Sequence, residues 1–152
     1  MKILLAVDDS DFSKAATEML IREIRPENTE VHVFHVVESI KLMPPTYNFG
    51  AGPGFVQDFT SIIQEWRKHG EALVSRTAKL LQSAGFKTNT MVREGDAKIS
   101  ILEYADEWRP DLIMVGSHGR KGLDRFLLGS VSDSVARHAH CSIQIVRPHV
   151  SK

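Results

Sequence analysis

The chain has 152 residues, 42% of them hydrophobic and 25% charged, which is the size and composition of one ordinary globular domain. Nineteen Lys and Arg balance nineteen Asp and Glu, so no net charge attracts the molecule to nucleic acid or to an anionic membrane surface. The one cysteine, Cys141, excludes an internal disulfide, and no apolar run approaches the ~20 residues of a membrane span. The first apolar run has five residues and ends in two acids, unlike a signal peptide, so we expect a cytoplasmic protein.

The first part of the chain alternates between strand and helix patterns. Residues 3–7 are a continuous apolar run that is typical of a buried strand. Asp9 or Ser10 is placed to cap a following helix, in which apolar residues recur every three or four positions. Residues 31–37 are rich in β-branched side chains and form the second predicted strand.

The middle of the chain begins with a segment that lacks periodicity. Residues 41–54 contain three prolines and three glycines and are predicted to form a flexible surface loop. A long helix with one apolar stripe follows; Gly70 is a point where it is able to bend, and Gly85 is its expected C-terminal cap. Residues 86–92 alternate between apolar and polar side chains, as a half-exposed strand does.

The last part of the chain repeats the alternation twice. A helix is predicted over residues 96–108, with Trp108 expected in the core, and a buried strand over residues 112–115. A glycine-rich loop then leads to a helix over residues 130–139 and a final strand over residues 142–146.

Five strands that alternate with four helices predict an α/β three-layer sandwich with a parallel sheet, a Rossmann-like fold in which residues 1–152 form one domain. In a parallel sheet covered on both faces, the central strands are the most apolar. Strands one and four are uniformly apolar, whereas strands three and five are more polar, which favours the order 3-2-1-4-5 over 2-1-3-4-5. The winding then reverses between strands one and four, so a ligand crevice opens beyond their carboxyl ends, where residues 8–10 and 116–119 face each other.

The most specific signal is a glycine pattern after the fourth strand: Gly116, two residues, Gly119, nine residues, then Gly129 and Ser130. Glycines let the backbone approach a ligand closely, and a helix that starts at Ser130 offers free N–H groups to phosphate. Three cations between the last two glycines add positive charge: Arg120, Lys121 and Arg125. The alternative is that Ser130 and Asp133 form a capping box, which needs no ligand.

Other patterns of catalytic or metal-binding residues are incomplete. The phosphate loop that ends in Gly-Lys-Ser/Thr and the compact dinucleotide fingerprint are both absent. His138, His140 and Cys141 include metal-ligating residue types, but they face different ways at a helix end and no second cluster completes a tetrahedral set, so no metal site is predicted. No Ser/His/Asp arrangement or nucleophile elbow can be specified, and no catalytic residue is predicted.

The glycine pattern matches the ATP-binding motif of the universal stress protein family, and the chain resembles the nucleotide-binding branch of that family. Further matches are the run from Ala6 to Ser10 after strand one, His35-Val36 in strand two and Gly95-Asp96-Ala97 before the third helix. The resemblance covers essentially the whole chain apart from the segment between Lys41 and about Phe55.

The resemblance implies a set of nucleotide contacts in the predicted crevice. ATP would bind there, with Mg²⁺ carried on the triphosphate. Asp8 would lie near the ribose or the adenine, and Val36 would contact the adenine. Val115 and Gly116 would line the nucleoside. Four residues would hold the phosphates through backbone amides and one hydroxyl: Gly119, Gly129, Ser130 and Val131.

Three functions stay open: a nucleotide-binding regulatory module in stress adaptation, a slow ATP hydrolase or phosphotransferase that uses the same site, and a flavodoxin-like electron carrier. The first is favoured because no candidate general base has an orienting partner. The third is disfavoured because a hydroxyl-rich phosphate loop does not follow strand one. The resemblance also implies a homodimer through the last strand, residues Ser142 to Val146, whose apolar edge would otherwise invite aggregation.

Overall fold

The computed structural model describes residues 1–38, 53–119 and 128–148, and of residues 53–59 it describes the backbone alone. Strands and helices alternate through these ranges as follows: β1 (Lys2–Ala6), α1 (Asp11–Glu23), β2 (Glu30–Val37), α2 (Pro53–Ser83), β3 (Lys87–Glu94), α3 (Ala97–Trp108), β4 (Leu112–Gly116), α4 (Ser130–His138) and β5 (Ser142–Val146). The predicted elements are confirmed, with ends displaced by a residue or two.

Two predictions fall partly or wholly outside the described residues. The surface loop predicted over residues 41–54 lies outside them as far as residue 52, and its last two residues belong to α2, which begins at Pro53. Proline is well suited to the first turn of a helix, because its missing N–H has no helical acceptor there. The three cations of the glycine-rich segment also lie outside the described residues: Arg120, Lys121 and Arg125.

The five strands form one parallel sheet in the order β3-β2-β1-β4-β5, as predicted from strand composition. Ala6 of β1 is paired with Phe34 of β2 on one side and with Val115 of β4 on the other. The winding therefore reverses between β1 and β4, and the carboxyl ends of these strands meet at one edge of the sheet.

Alternate side chains of each central strand supply two separate cores. Ile3 and Leu5 of β1 are buried with apolar side chains of α1 and α2, whereas Leu4 is buried with apolar side chains of α3 and α4. This alternation of period two is what places helices on both faces of the sheet. None of the helices within the described ranges combines the length and the apolar character needed to cross a membrane.

Helix caps determine where the chain turns at the sheet edges. The Ser10 hydroxyl accepts a hydrogen bond from the Ser13 amide at the start of α1, so Ser10 is the cap among the two predicted candidates. At the start of α3, the Asp96 carboxylate accepts from the amides of Lys98 and Ile99. Each such cap satisfies N–H groups that the helix itself leaves unpaired.

Trp108 corrects one sequence expectation. It is half-buried and packs against the core formed with α3 and α4 instead of lying fully inside it, and its ring stacks on His32 with the centroids 3.6 Å apart. His32 faces α3, whereas His35 is buried on the α2 side against Gly70. The two histidines therefore lie on opposite faces of β2, because residues three apart on a strand point in opposite directions.

Candidate functional site

The chain after β1 turns sharply around Asp8. Its Oδ1 accepts hydrogen bonds from the amide and the hydroxyl of Ser10, and its own amide donates to Oγ of Ser13 at 3.1 Å. These bonds hold the half-buried carboxylate at the carboxyl end of β1, at the N-terminus of α1. The same turn makes Ser10 the cap of α1, so one local network positions both the helix and the carboxylate.

The loop after β4 packs directly against this turn. A Cβ built on Gly119 would lie 2.8 Å from Oδ2 of Asp8, and a Cβ built on Gly116 would lie 2.8 Å from the backbone carbonyl carbon of Phe12. Any other residue at either position would force a neighbour to move. The prediction that residues 8–10 and 116–119 face each other is thereby confirmed.

His118 is held at the rim of the same loop. Its ring lies 5.1 Å from the Phe12 ring, centroid to centroid, and its Nδ1 is 3.1 Å from Oγ of Ser117. These contacts give the imidazole a packing role.

The start of α4 completes the arrangement. Gly129 is the cap residue, with φ −63°, and its amide donates to the Ser117 carbonyl at 2.8 Å. Ser130 is the first residue of the helix, and the Asp133 side chain pairs with Arg137 at 3.0 Å. The alternative of a capping box formed by Ser130 and Asp133 is therefore wrong, because Ser130 lies inside the helix instead of at the cap.

The three valines among the predicted site residues lie on one side of the sheet: Val36 and Val115, predicted beside the nucleoside, and Val131, predicted beside the phosphates. Val36 and Val115 are buried, with 8% and 3% of their surfaces exposed, and both belong to the core formed with α3 and α4. Val131 of α4 is half-buried and packs against the same core. Val36 is two residues beyond Phe34, the partner of Ala6, so it lies near the carboxyl edge of the sheet.

The charged groups near this edge are arranged around the turn after β1. Asp9 lies 3.6 Å from Nε2 of His69 and 3.7 Å from the Arg76 guanidinium, both on α2. All three side chains are largely exposed, so these contacts are screened by water and stabilise the fold only slightly. Asp8, in contrast, is withdrawn beside Gly119.

The arrangement is suited to a ligand that carries both hydroxyl and anionic groups. A carboxylate accepts hydrogen bonds from hydroxyls, and the first amides of a helix lack helical acceptors and carry the positive end of the dipole. Over residues 1–38, 53–119 and 128–148, no group of three or more His, Cys, Asp or Glu is arranged to hold a metal ion.

Two residues of this edge were missed as functional candidates in the sequence. Ser132 is buried and donates a hydrogen bond toward the carbonyls of Ser117 and Gly129. Ser117 is also fully buried and joins β5 to the start of α4 through its backbone. Ser132 comes two positions after Ser130, the last residue of the glycine pattern. Nothing in the sequence distinguishes it from any other serine of a helix.

Cys141 lies far from this edge, at the start of β5. It is a half-buried free thiol, and burial raises its pKa. The uncharged thiol therefore dominates at neutral pH, in an environment that is typical of a structural cysteine.

Proteins of known sequence resemble the chain along nearly its whole length. The model described as the universal stress protein family matches residues 1–147. Universal stress protein MJ0531 of Methanocaldococcus jannaschii is 30% identical over 146 residues, which are 96% of this chain and 81% of that protein. Universal stress protein A homolog 2 of Coxiella burnetii is 32% identical over 147 residues, with 96% and 94% covered.

Solved structures share the fold. Universal stress protein UspA from Lactobacillus plantarum superposes with a TM-score of 0.81 at 21% identity and covers 97% of both chains. A universal stress protein family protein from Arabidopsis thaliana with AMP bound has a TM-score of 0.68 at 24% identity, covering 96% of this chain and 90% of that one. A universal stress protein in complex with cAMP has a TM-score of 0.60 at 22% identity, with 96% and 95% covered. With the family match over residues 1–147, these likenesses show that the chain belongs to the universal stress protein family.

Proposed function

We propose that the protein binds ATP in the crevice beyond β1 and β4 and acts as a nucleotide-dependent regulatory module in stress adaptation. The observation that carries the proposal is the convergence of Asp8, Gly119 and the start of α4 at one edge of the sheet. In open parallel sheets, ligands bind beyond the carboxyl ends of the strands where the winding reverses. Neighbours solved with AMP and with cAMP support an adenine nucleotide as the ligand class.

The phosphates of the nucleotide are assigned to the glycine-bearing loop and to the first turn of α4. The amides at the helix start have no partner inside the helix, and the helix dipole favours an anion there. Ser130 is exposed at the first helical position, so its hydroxyl is accessible to a phosphate oxygen. The proposed phosphate-binding residues are Gly119, Ser130 and Val131 together with Gly129. The Gly129 amide donates to the Ser117 carbonyl, so Gly129 is proposed to act through its missing side chain, which leaves space for a phosphate beside the helix start.

The nucleoside is assigned to the β1 and β2 side of the crevice. Asp8 is proposed to accept hydrogen bonds from ribose hydroxyls or from the adenine amine, because a carboxylate placed against phosphate would repel it. Oδ2 of Asp8 lies on the side of Gly119, toward the loop after β4, and is the oxygen that we assign to the ligand. Val36, Val115 and Gly116 are proposed to form the apolar wall of the nucleoside pocket.

Mg²⁺ is proposed to bind through the phosphates. This ion keeps several waters and is commonly held by substrate phosphates with one or two carboxylates instead of a complete protein cage. The described residues contain no cluster of three acidic, histidine or cysteine side chains that would supply such a cage.

We also propose that the protein is a cytoplasmic homodimer whose contact is β5. β5 is an edge strand, and its Ile143 and Ile145 are only half-buried within one chain. Pairing β5 with its copy across a two-fold axis would satisfy the exposed edge and cover both side chains. The free Cys141 thiol is in keeping with a reducing compartment.

The nucleotide site is tested by calorimetric titration of ATP and Mg²⁺ into nucleotide-free protein. The variants are Gly129→Glu and Gly129→Ala, which both add a Cβ at 3.0 Å from the Ser117 carbonyl oxygen, whereas only the first adds a negative charge. We expect saturable binding by the wild type, weaker binding by Gly129→Ala and none by Gly129→Glu. Absence of binding by the wild type would contradict the proposal. Equal binding by the two variants would place the phosphates away from α4.

A further inference from the structure

Ser132 occupies an unusual position for a serine of a helix. It lies in the first turn of α4 with 2% of its surface exposed. Its Oγ is 2.8 Å from the Ser117 carbonyl oxygen and 2.9 Å from the Gly129 carbonyl oxygen, so its single hydrogen is donated to one of them or shared. The contact with Gly129 stays within the helix start, whereas the contact with Ser117 spans 15 residues and joins α4 to another segment.

The Ser117 carbonyl is the meeting point of the two halves of the proposed phosphate site. It accepts from the Gly129 amide at 2.8 Å as well as from Ser132. The Ser117 amide donates to the Val146 carbonyl at 2.7 Å, which ties the same residue to β5. Ser117 is fully buried, so water does not compete for these bonds.

We propose that Ser132 is a positioning residue that sets the spacing between the segment Ser117–Gly119 and the first amides of α4, and thereby the affinity for phosphate. This inference rests on the proposed function, because it concerns the same site. Gly129 has no side chain to cap the helix, and among the described residues the Ser132 hydroxyl is the side-chain group that links the helix start to Ser117. Groups that bind a ligand act well only when their supporting hydrogen bonds fix them.

The inference predicts a selective effect on the phosphate part of the ligand. The nucleoside part is assigned to Asp8 and Val36, which β1 and β2 position without any bond to Ser132. Loosening the link between Ser117 and α4 therefore weakens contacts to the phosphates but leaves contacts to adenosine in place.

The experiment measures dissociation constants for ATP with Mg²⁺ and for adenosine by calorimetry. The variants are Ser132→Ala, which removes the hydroxyl, and Ser132→Cys, whose somewhat larger thiol donates a weaker hydrogen bond. The control is Thr29→Val. Thr29 is also buried, and its hydroxyl donates to the Arg25 carbonyl at 2.8 Å before β2, at the opposite edge of the sheet.

For Ser132→Ala we expect ATP affinity to fall about tenfold, as for the loss of good hydrogen bonds to a charged group, with adenosine affinity within about twofold of wild type. The ATP affinity of Ser132→Cys is expected to lie between those of the wild type and Ser132→Ala. Thr29→Val is expected to unfold at a lower temperature but to keep the wild-type ratio of the two affinities.

The outcomes separate the two proposals. If the wild type binds neither ligand, the proposed function fails. If the wild type binds both and Ser132→Ala keeps the wild-type ratio, the nucleotide site stands and Ser132 is merely structural. If Ser132→Ala does not fold, the same ratio for Ser132→Cys decides, and a wild-type value there overturns the positioning role.

Discussion

His32 shows how much of a residue's role depends on neighbours that are distant in sequence. Its ring packs against two side chains of α3: Nδ1 lies 2.7 Å from the Tyr104 hydroxyl, and the Trp108 ring stacks on its face. Nε2 lies 3.1 Å from Nδ2 of Asn89 and 3.4 Å from a Glu30 oxygen. The side chain is 11% exposed, and burial lowers its pKa, with the Glu30 carboxylate opposing that effect in part.

The lowered pKa of His32 predicts a loss of stability in mild acid. An unfolded histidine has a pKa near 6.5, so the unfolded chain binds a proton at that position more readily than the folded chain. The contribution of His32 to the free energy of unfolding is therefore complete above about pH 6.5. It falls as the pH drops below that value, by at most about 1.4 kcal/mol per pH unit for one proton. Lys2 and Lys87 act in the same direction, since both also lower the pKa of His32.

The measurement is urea unfolding of wild type and His32→Gln between pH 7.5 and pH 5.5. Every other titrating group is common to the two proteins, so the difference between their pH profiles isolates His32. We expect His32→Gln to be less stable at pH 7.5 because the ring contacts are lost, but to lose less stability on acidification. Parallel profiles would show that His32 does not titrate differently on folding.

The roles of single side chains are only partly predictable from the sequence. The glycines of the motif and the cap Ser10 were identified because turns and caps require particular residue types. The sequence assigns no role to Ser132 or His32, because Ser117 and Tyr104, on which their roles depend, lie 15 and 72 residues away and only the fold brings them together. The sequence predicts Trp108 inside the core because it lies on an apolar helix face, but that pattern does not show how deeply each side chain of the face is buried.

At the scale of elements, α2 and β2 approach each other through Gly70. The helix continues through this position from Pro53 to Ser83, and a Cβ built on Gly70 would lie 2.6 Å from Cδ2 of His35. The His35 ring is buried and lies with its Nδ1 2.8 Å from the Val7 carbonyl oxygen, so it has little room to move. The glycine that the sequence marked as a possible bend thus allows close packing of a helix on a strand.

Gly70→Ala is expected to destabilise the protein although alanine is the better helix former. The gain in helix propensity is about 1 kcal/mol, whereas overpacking a tight contact costs about 1 to 3 kcal/mol. The net loss is measured by urea unfolding, with Ser75→Ala, at an exposed position of the same helix, as the control expected to change stability by less than about 0.5 kcal/mol. A Gly70→Ala protein more stable than wild type would mean that His35 moves aside freely.

The elements themselves were predictable because their signals are local and repeated. Continuous apolar runs marked β1 and β4 as central, and the mixed composition of β3 and β5 marked them as edges. The sequence predicts the start of α4 correctly, but it allows Ser130 to be either a helix cap or a ligand contact. The backbone conformation of Gly129 makes Gly129, and not Ser130, the cap of α4. The sequence pattern does not predict that conformation.

At the scale of the whole molecule, the two edges of the sheet differ in a way that matters for assembly. β3 presents a largely exposed set of side chains, among them the charged Lys87 and Glu94, and charged residues at an edge discourage pairing with another strand. β5 presents Ile143 and Ile145, both half-buried within one chain. The apolar edge is therefore the one that we propose to be covered by a second copy.

Ile145→Asp tests this arrangement, with Met91→Asp on the β3 edge as the matched control. Light scattering after gel filtration is expected to give twice the chain mass of 17.0 kDa for the wild type and for Met91→Asp. Ile145→Asp is expected to give the single-chain mass or insoluble protein, because pairing would bury two carboxylates beside each other. Circular dichroism and Ile145→Ala separate a folded monomer from loss of packing against the α3 and α4 core. A folded Ile145→Asp protein that keeps the dimer mass would place the contact elsewhere on the surface, and a monomeric wild type would exclude the dimer altogether.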